Sequence, residues 1–284
     1  MNLAVIGSGG REHALCYKLK QSGKVKKLFC IPGNAGTKNL AENIKEDLSN
    51  FDAIYKIIKE KKIDFTIVGP EEPLVNGIVD YLVKKNIKVF GPDKFSSQLE
   101  GSKAFMKNLC RENNIPTAGF GVFENFIDAS DFLKKSEMPM VVKADGLAAG
   151  KGVYICKSIE EAETKTKEIL EGKFKSSKKV VLEEFIEGEE LSYFSVVDRN
   201  TFLFFGSAQD HKRVGEGDKG PNTGGMGAYS PAPILNDQLE CKIKKKIIEP
   251  TLEAMKKLGH PYKGFLYAGL MIKKNEPYLI EYNI

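Results

Sequence analysis

Lys143-Ala144-Asp145-Gly146-Leu147-Ala148-Ala149-Gly150-Lys151-Gly152-Val153 is a glycine-rich connection between two apolar runs. An apolar run from Met140 to Lys143 leads into it, and a second from Gly152 to Cys156 leads out. The stretch is similar to a phosphate-binding loop but lacks the G-x-x-x-x-G-K-[ST] spacing, and it opens a strand instead of a helix. A P-loop fold is therefore not the reading. A hairpin of small residues with two lysines suits a lid over a triphosphate, because glycine permits close approach and motion and lysine supplies compact positive charge. The alternative is a plain glycine-rich hairpin.

On the N-terminal side, short apolar runs alternate with helical stretches. Leu3 to Ile6 ends in Gly7-Ser8-Gly9-Gly10, and Arg11 to Lys20 reads as helix. Lys27 to Ile31 ends at Pro32-Gly33-Asn34-Ala35-Gly36, Phe65 to Val68 at Gly69-Pro70-Glu71-Glu72-Pro73, and Lys88 to Phe90 at Gly91-Pro92. Asp52 to Lys61 and Gly77 to Lys85 are the intervening helices. Strand, turn and helix in repetition predict a parallel, Rossmann-like α/β sheet, whose ligands bind beyond the carboxyl ends of the strands.

The C-terminal side reads as α+β. Ser102 to Asn113 is a helix with Ser102 as its cap. Strands are predicted at Val180 to Glu184, Leu191 to Val197 and Phe202 to Phe205, with a helix from Ile159 to Leu170. Leu239 to Leu258 is a long helical stretch that Pro250 should break or kink. Leu266 to Ile272 and Tyr278 to Tyr282 close the chain as a hairpin.

The 284 residues are 42% hydrophobic and 29% charged, which excludes disorder, collagen and coiled coil as overall classes. No apolar run is long enough for a spanning helix and no signal peptide opens the chain, so a cytoplasmic protein without a membrane partner is expected. The formal charge of +5 is mild, and its lysines lie in Lys/Glu-mixed helical stretches, which favours solvated faces over a nucleic-acid surface. Five dispersed cysteines and three histidines favour neither disulfides nor a zinc site.

Four further motifs carry chemistry. Gly7-Ser8-Gly9-Gly10-Arg11-Glu12 follows a strand and opens a helix, but Glu12 stands where a dinucleotide fingerprint has its third glycine. What remains is a generic phosphate site of free backbone N–H groups, with Arg11 as a charged donor, or a structural turn. Glu183 to Glu190 bends at Gly188 between two strands; such a bend offers backbone groups to an adenine edge and a carboxylate to ribose, or it is a solvated acidic edge. Residues 209–231 form a long polar loop in which Lys212 and Arg213 suit an anionic substrate. Glu281 and Asn283 share one strand face, and two such oxygens suit Mg²⁺ on a triphosphate, or mark an ordinary strand end.

Taken in order, these segments closely resemble the ATP-grasp enzymes, and more narrowly the phosphoribosylamine–glycine ligases, also called glycinamide ribonucleotide synthetases. The resemblance is carried by residues 7–14, 32–36, 68–74, 101–103, 142–153, 182–185, 209–213, 222–231 and 281–283. It implies an N-terminal substrate-binding domain over 1–101, an ATP-grasp central domain over 102–122 and 191–284, and a lid subdomain over 123–190. It implies ATP as cosubstrate, with Lys103, Lys143, Gly146, Gly150, Lys151 and Gly152 around its phosphates. Glu183, Glu184, Phe185 and Ile186 would form the adenine hinge, and Glu190 would take the ribose. Glu281 and Asn283 would be the ligands of Mg²⁺ or Mn²⁺. Gly9, Gly10, Arg11, Asn34, Glu71, Asp210, Lys212 and Arg213 are implied for glycine and 5-phosphoribosylamine, and Lys143 and Arg213 are the catalytic candidates. Members of the family continue beyond Glu-Tyr-Asn with an Arg-Phe-Gly-Asp-Pro-Glu segment and another domain, so the chain is expected to be incomplete. A monomer is expected.

The reaction the resemblance implies joins glycine to 5-phosphoribosylamine through a glycyl phosphate, releasing ADP and phosphate. The rival readings are another ATP-grasp carboxylate–amine ligase of purine synthesis and a non-catalytic nucleotide-binding fragment.

Overall fold

The computed structural model describes residues 1–148, 152–174, 177–211, 213–216, 219–223 and 226–284. They form two compact units: 1–97 with 262–264 and 284, and 98–261 with 265–283.

In the first unit β1 (Asn2–Gly7), α1 (Gly10–Lys20), β2 (Lys27–Pro32), β3 (Glu42–Asn43), α2 (Phe51–Glu60), β4 (Phe65–Val68), α3 (Glu71–Val75), α4 (Ile78–Lys84) and β5 (Val89–Phe90) follow one another. The strands make one parallel sheet in the order β3-β2-β1-β4-β5. β1 is central, and Leu3 to Ile6 are buried, as a strand covered on both faces requires. On α2 the four-residue spacing of Ile54 and Ile58 turns both inward, and the Asn50 side chain caps its first turn by accepting from Ala53 N–H. The short helix α3 occupies residues that read as a Gly/Pro turn; Pro73 fits within its first turn, where no intrahelical N–H is required.

The second unit opens with α5 (Gln98–Gly101) and α6 (Lys103–Glu112), the latter capped by Ser102, whose Oγ accepts from Phe105 N–H at 3.1 Å. Next come β6 (Phe120–Phe123), α7 (Phe126–Leu133), β7 (Met140–Ala144), β8 (Val153–Cys156), α8 (Ile159–Glu168) and β9 (Val180–Glu184). These strands form an antiparallel sheet in the order β6-β9-β7-β8. Met140, Val142, Ala144, Val180 and Leu182 pack with Ala129, Leu133 and Ala162 of the two helices. Alternation sends Lys143 and Glu183 to the opposite face, where Lys143 pairs in register with Val181, two residues before Glu183.

The second sheet begins with β10 (Glu189–Asp198) and β11 (Thr201–Asp210) and continues with β12 (Arg213–Gly215), β13 (Lys219–Asn222) and β14 (Ala228–Tyr229). α9 (Asp237–Ile243), α10 (Glu249–Lys257), β15 (Lys263–Lys273) and β16 (Glu276–Asn283) complete the chain. The main sheet runs β14-β11-β10-β15-β16, and β12 pairs with β13 as a separate ribbon. β11 extends five residues beyond the predicted Phe205, because Ser207 and Gln209 are held inward: Ser207 Oγ accepts from Ala232 N–H, and Gln209 Nε2 donates to Glu190 O. The predicted loop over 209–231 thus contains three short strands. Pro250 does not end the helical stretch. It lies in the first turn of α10, and residues 244–248 widen into a π turn just before it, as a residue without an N–H favours. Lys274 and Asn275, at φ 51° and 60°, make the two-residue turn between β15 and β16.

Candidate functional site

In the first unit the carboxyl ends of β1, β2 and β4 bring together Gly9, Gly10, Arg11, Asn34 and Glu71. The Asn34 amide donates to Ser8 O at 2.8 Å and Gly9 O at 3.2 Å, while its carbonyl oxygen accepts from Thr37 N–H at 2.9 Å. Arg11 reaches Glu71 at 3.3 Å in an exposed pair worth at most about 1 kcal/mol. The glycine turn differs from the expected set of free donors. Glu12 folds back beneath it, almost fully buried, and its Oε2 accepts from Gly9 N–H at 2.5 Å. A Cβ at Gly7 would lie 2.6 Å from the Glu12 carboxyl carbon, and one at Gly69 would lie 2.0 Å from Oε1. The nearest backbone donor of this helix N-terminus is therefore taken by the chain's own carboxylate.

In the second unit the lysines converge. Lys143 and Lys107 share the carboxylate of Glu183, at 3.0 and 2.9 Å, and all three side chains are buried. Lys143 Nζ also lies 3.5 Å from Ile280 O on β16, the residue before Glu281. Lys107 Nζ donates to Thr117 Oγ1 at 2.6 Å, and that hydroxyl donates to Leu279 O at 2.6 Å. Burial pushes the Lys103 ammonium below the ordinary lysine pKa, and the positive charge of Lys143 adds to the shift. Burial also lowers Lys107, with Glu183 opposing the shift.

Asp145 anchors the start of the glycine-rich connection to α6. Its carboxylate accepts from Ala104 N–H at 3.1 Å and from Ser102 Oγ at 3.1 Å, at the positive end of the helix. Lys103 Nζ donates to Gly146 O at 3.0 Å, and Gly146 takes φ +85°, a left-handed turn suited to glycine. Gly150, Lys151 and Lys212 lie outside the described residues, as does the side chain of Arg213. Gly152 immediately precedes β8.

The segment after β9 places its residues differently from one another. Glu183 points inward to the lysines, whereas Glu184 is exposed and accepts from Gly119 N–H at 3.2 Å. Phe185 is partly exposed and Ile186 half-buried. Beyond them a cleft is lined by Glu190, Ser192, Asp210, Tyr267, Met271 and Glu281. Glu281 pairs with Gly269 and Asn283 with Tyr267 across β15, while Tyr282 between them is buried on the other face. Two oxygen donors on one strand face fit Mg²⁺, which takes few protein ligands and completes its shell with phosphate and water. Among the described residues no cluster of three or more His, Cys, Asp or Glu is poised for a metal, so phosphate oxygens would have to supply much of the shell.

Sequence reasoning missed Glu12, Lys107 and Asp145. Lys107 left a trace: it falls between Ala104 and Cys110 on the apolar stripe of α6.

Residues 1–100 match the family model of the phosphoribosylglycinamide synthetase N domain, and residues 101–284 match that of the ATP-grasp (A) domain. A phosphoribosylamine–glycine ligase of Mesorhizobium japonicum is 50% identical over 284 residues, all of this chain and 67% of the relative. One from Brucella melitensis is 48% identical, again over the whole chain and 66% of the relative. The crystal structure of the Thermotoga maritima ligase superposes at a TM-score of 0.87 with 36% identity, covering 100% of this chain and 68% of that one. A Campylobacter jejuni biotin carboxylase shares the fold at a TM-score of 0.75 and 18% identity, covering 99% and 65%. The chain thus spans about two thirds of the length of its curated relatives.

Proposed function

Because the chain belongs to the phosphoribosylglycinamide synthetase family, we propose that it is an ATP-dependent ligase of purine biosynthesis, joining glycine to 5-phosphoribosylamine. The single observation that best supports this reading is the position of Lys143 Nζ, 3.5 Å from the carbonyl of the residue preceding Glu281. Lys143, on β7, thereby reaches the backbone of β16, the strand that carries Glu281.

The glycine carboxylate is a poor electrophile. Transfer of the γ-phosphoryl of ATP to one of its oxygens yields glycyl phosphate and ADP. The amine of phosphoribosylamine attacks the acyl carbon, the C–O bond to phosphate breaks, and phosphate leaves as the nitrogen loses a proton. The protein's work is positioning and charge neutralisation. Lys103 and Lys143 hold the phosphates, and Asp145 fixes the start of the neighbouring connection at Gly146 beside them. Mg²⁺, when bound at Glu281 and Asn283, supplies charge neutralisation at the phosphate oxygens. Phe185 and Ile186 receive the base, with Glu190 at the ribose. The five free thiols suit a reducing, cytoplasmic setting, and no helix among the described residues is long and apolar enough to cross a membrane.

The test is phosphate release from Mg·ATP with glycine and phosphoribosylamine, omitting each in turn. Release that requires both supports the ligase. Mg·ATP stabilisation without release would instead identify nucleotide binding without ligase turnover.

A further inference from the structure

We propose that Lys107 is a positioning residue for the nucleotide site, acting on Lys143 through the carboxylate they share. The inference rests on the reading of Lys143 as a phosphate-binding lysine. Lys107 has no exposed surface, so it contacts no ligand itself. Its ammonium contacts residues that frame the site. Glu183 Oε2 lies at 2.9 Å and Thr117 Oγ1 at 2.6 Å, and the Phe120 ring lies 5.8 Å from Nζ. Thr117 passes the link on to Leu279 O, two residues before Glu281. Lys143 closes the circuit from the other side, touching Glu183 and Ile280 O. One buried carboxylate thus registers the lid sheet, α6 and β16 against one another.

Charge supplies the second half of the argument. Lys143 and Glu183 alone form a neutral buried pair, which offers no net charge to a triphosphate. With Lys107 the three groups carry a net charge of +1, because one carboxylate is divided between two ammoniums. Lys107 therefore leaves Lys143 with uncompensated positive charge and fixes where that charge sits. A lysine present only to fill space would do neither.

The test is a double-substitution cycle on Mg·ATP affinity in the full 284-residue chain, using Lys107→Met, Lys143→Met and both together. Thermal unfolding is recorded for each, so that affinity refers to folded protein. Lys107→Met is expected to weaken affinity about tenfold or more, and to have little further effect once Lys143 is gone. Lys107→Arg, which keeps the charge, should restore most of the affinity. Unchanged affinity in folded Lys107→Met, or additive losses in the double variant, overturns the inference and leaves the nucleotide-site reading intact. Unchanged affinity in Lys143→Met overturns that reading first. If Lys107→Met does not fold, Thr117→Val decides: it removes the Nζ acceptor and the tie to Leu279 while sparing the ion pairs. A loss of a few-fold is expected there, and unaltered affinity refutes the positioning role.

Discussion

Asp145→Ala probes the anchor beneath the glycine-rich connection. In the wild-type structure the carboxylate accepts from the Ala104 N–H and the Ser102 hydroxyl, each at 3.1 Å, at the first turn of α6. Hydrogen bonds to an ionised acceptor contribute about 1.5–3 kcal/mol each when well buried, and less here because the site is half-exposed. The favourable charge at a helix N-terminus adds about 0.3–1 kcal/mol. A net loss of about 2–3 kcal/mol is expected for alanine and about 1 kcal/mol for asparagine, which keeps an acceptor but not the charge. For a unit of this size each kcal/mol lowers Tm by about 2–4 °C. Calorimetry should therefore show the second unit unfolding about 4–12 °C earlier in Asp145→Ala. Mg·ATP affinity should also fall, because the neighbouring Lys103–Gly146 contact loses its support. An Asp145→Ala protein with unchanged Tm would refute the anchor, and an unstable one with undiminished affinity would separate the anchor from the nucleotide.

Other expectations are equally direct. Lys143→Ala should cost about 10–100-fold in Mg·ATP affinity, yet leave the fold standing because Lys107 still neutralises Glu183; titration calorimetry reads the first and thermal melting the second. Glu281→Gln should raise the Mg²⁺ concentration needed for half-maximal phosphate release, and an unaltered titration would refute the metal assignment. Lys103 carries a pH dependence. Its folded pKa lies below the ordinary lysine value, so between the two the unfolded chain binds more protons and stability rises with pH. Nucleotide binding has the opposite sign, since triphosphate favours the ammonium. Affinity should fall as pH rises through the lowered pKa, with proton uptake visible as a buffer-dependent heat, and Lys103→Arg should abolish the fall.

The parallel sheet was legible because its main strands end in Gly or Pro punctuation and alternate with helical stretches, one of which shows an apolar stripe at Ile54 and Ile58. The strand–connection–strand at 140–156 was legible from two apolar runs flanking a glycine-rich stretch. Glu12 was not, because its place is set by space left by glycines at the ends of β1 and β4, the second of them distant in sequence. Lys107 was hidden by its type: a lysine in a helix reads as solvated until the carboxylate that buries it is seen across a sheet. The inward Ser207 and Gln209 broke the apolar alternation that would have carried β11 to Asp210. Glu183 looked like part of an acidic edge beside Glu184, yet strand alternation sends the two carboxylates to opposite faces.

The packing of Glu12 constrains how such chains can diverge. Gly7 stands at φ +129° and would resist any side chain whatever its neighbours. Gly69 is under no such backbone demand; the Glu12 carboxylate alone excludes a methyl group there. Substitution at the two glycines is therefore unequal in its history. A lineage that first shortens residue 12 opens position 69 to alanine, whereas the reverse order passes through a clash, and position 7 stays closed on either path.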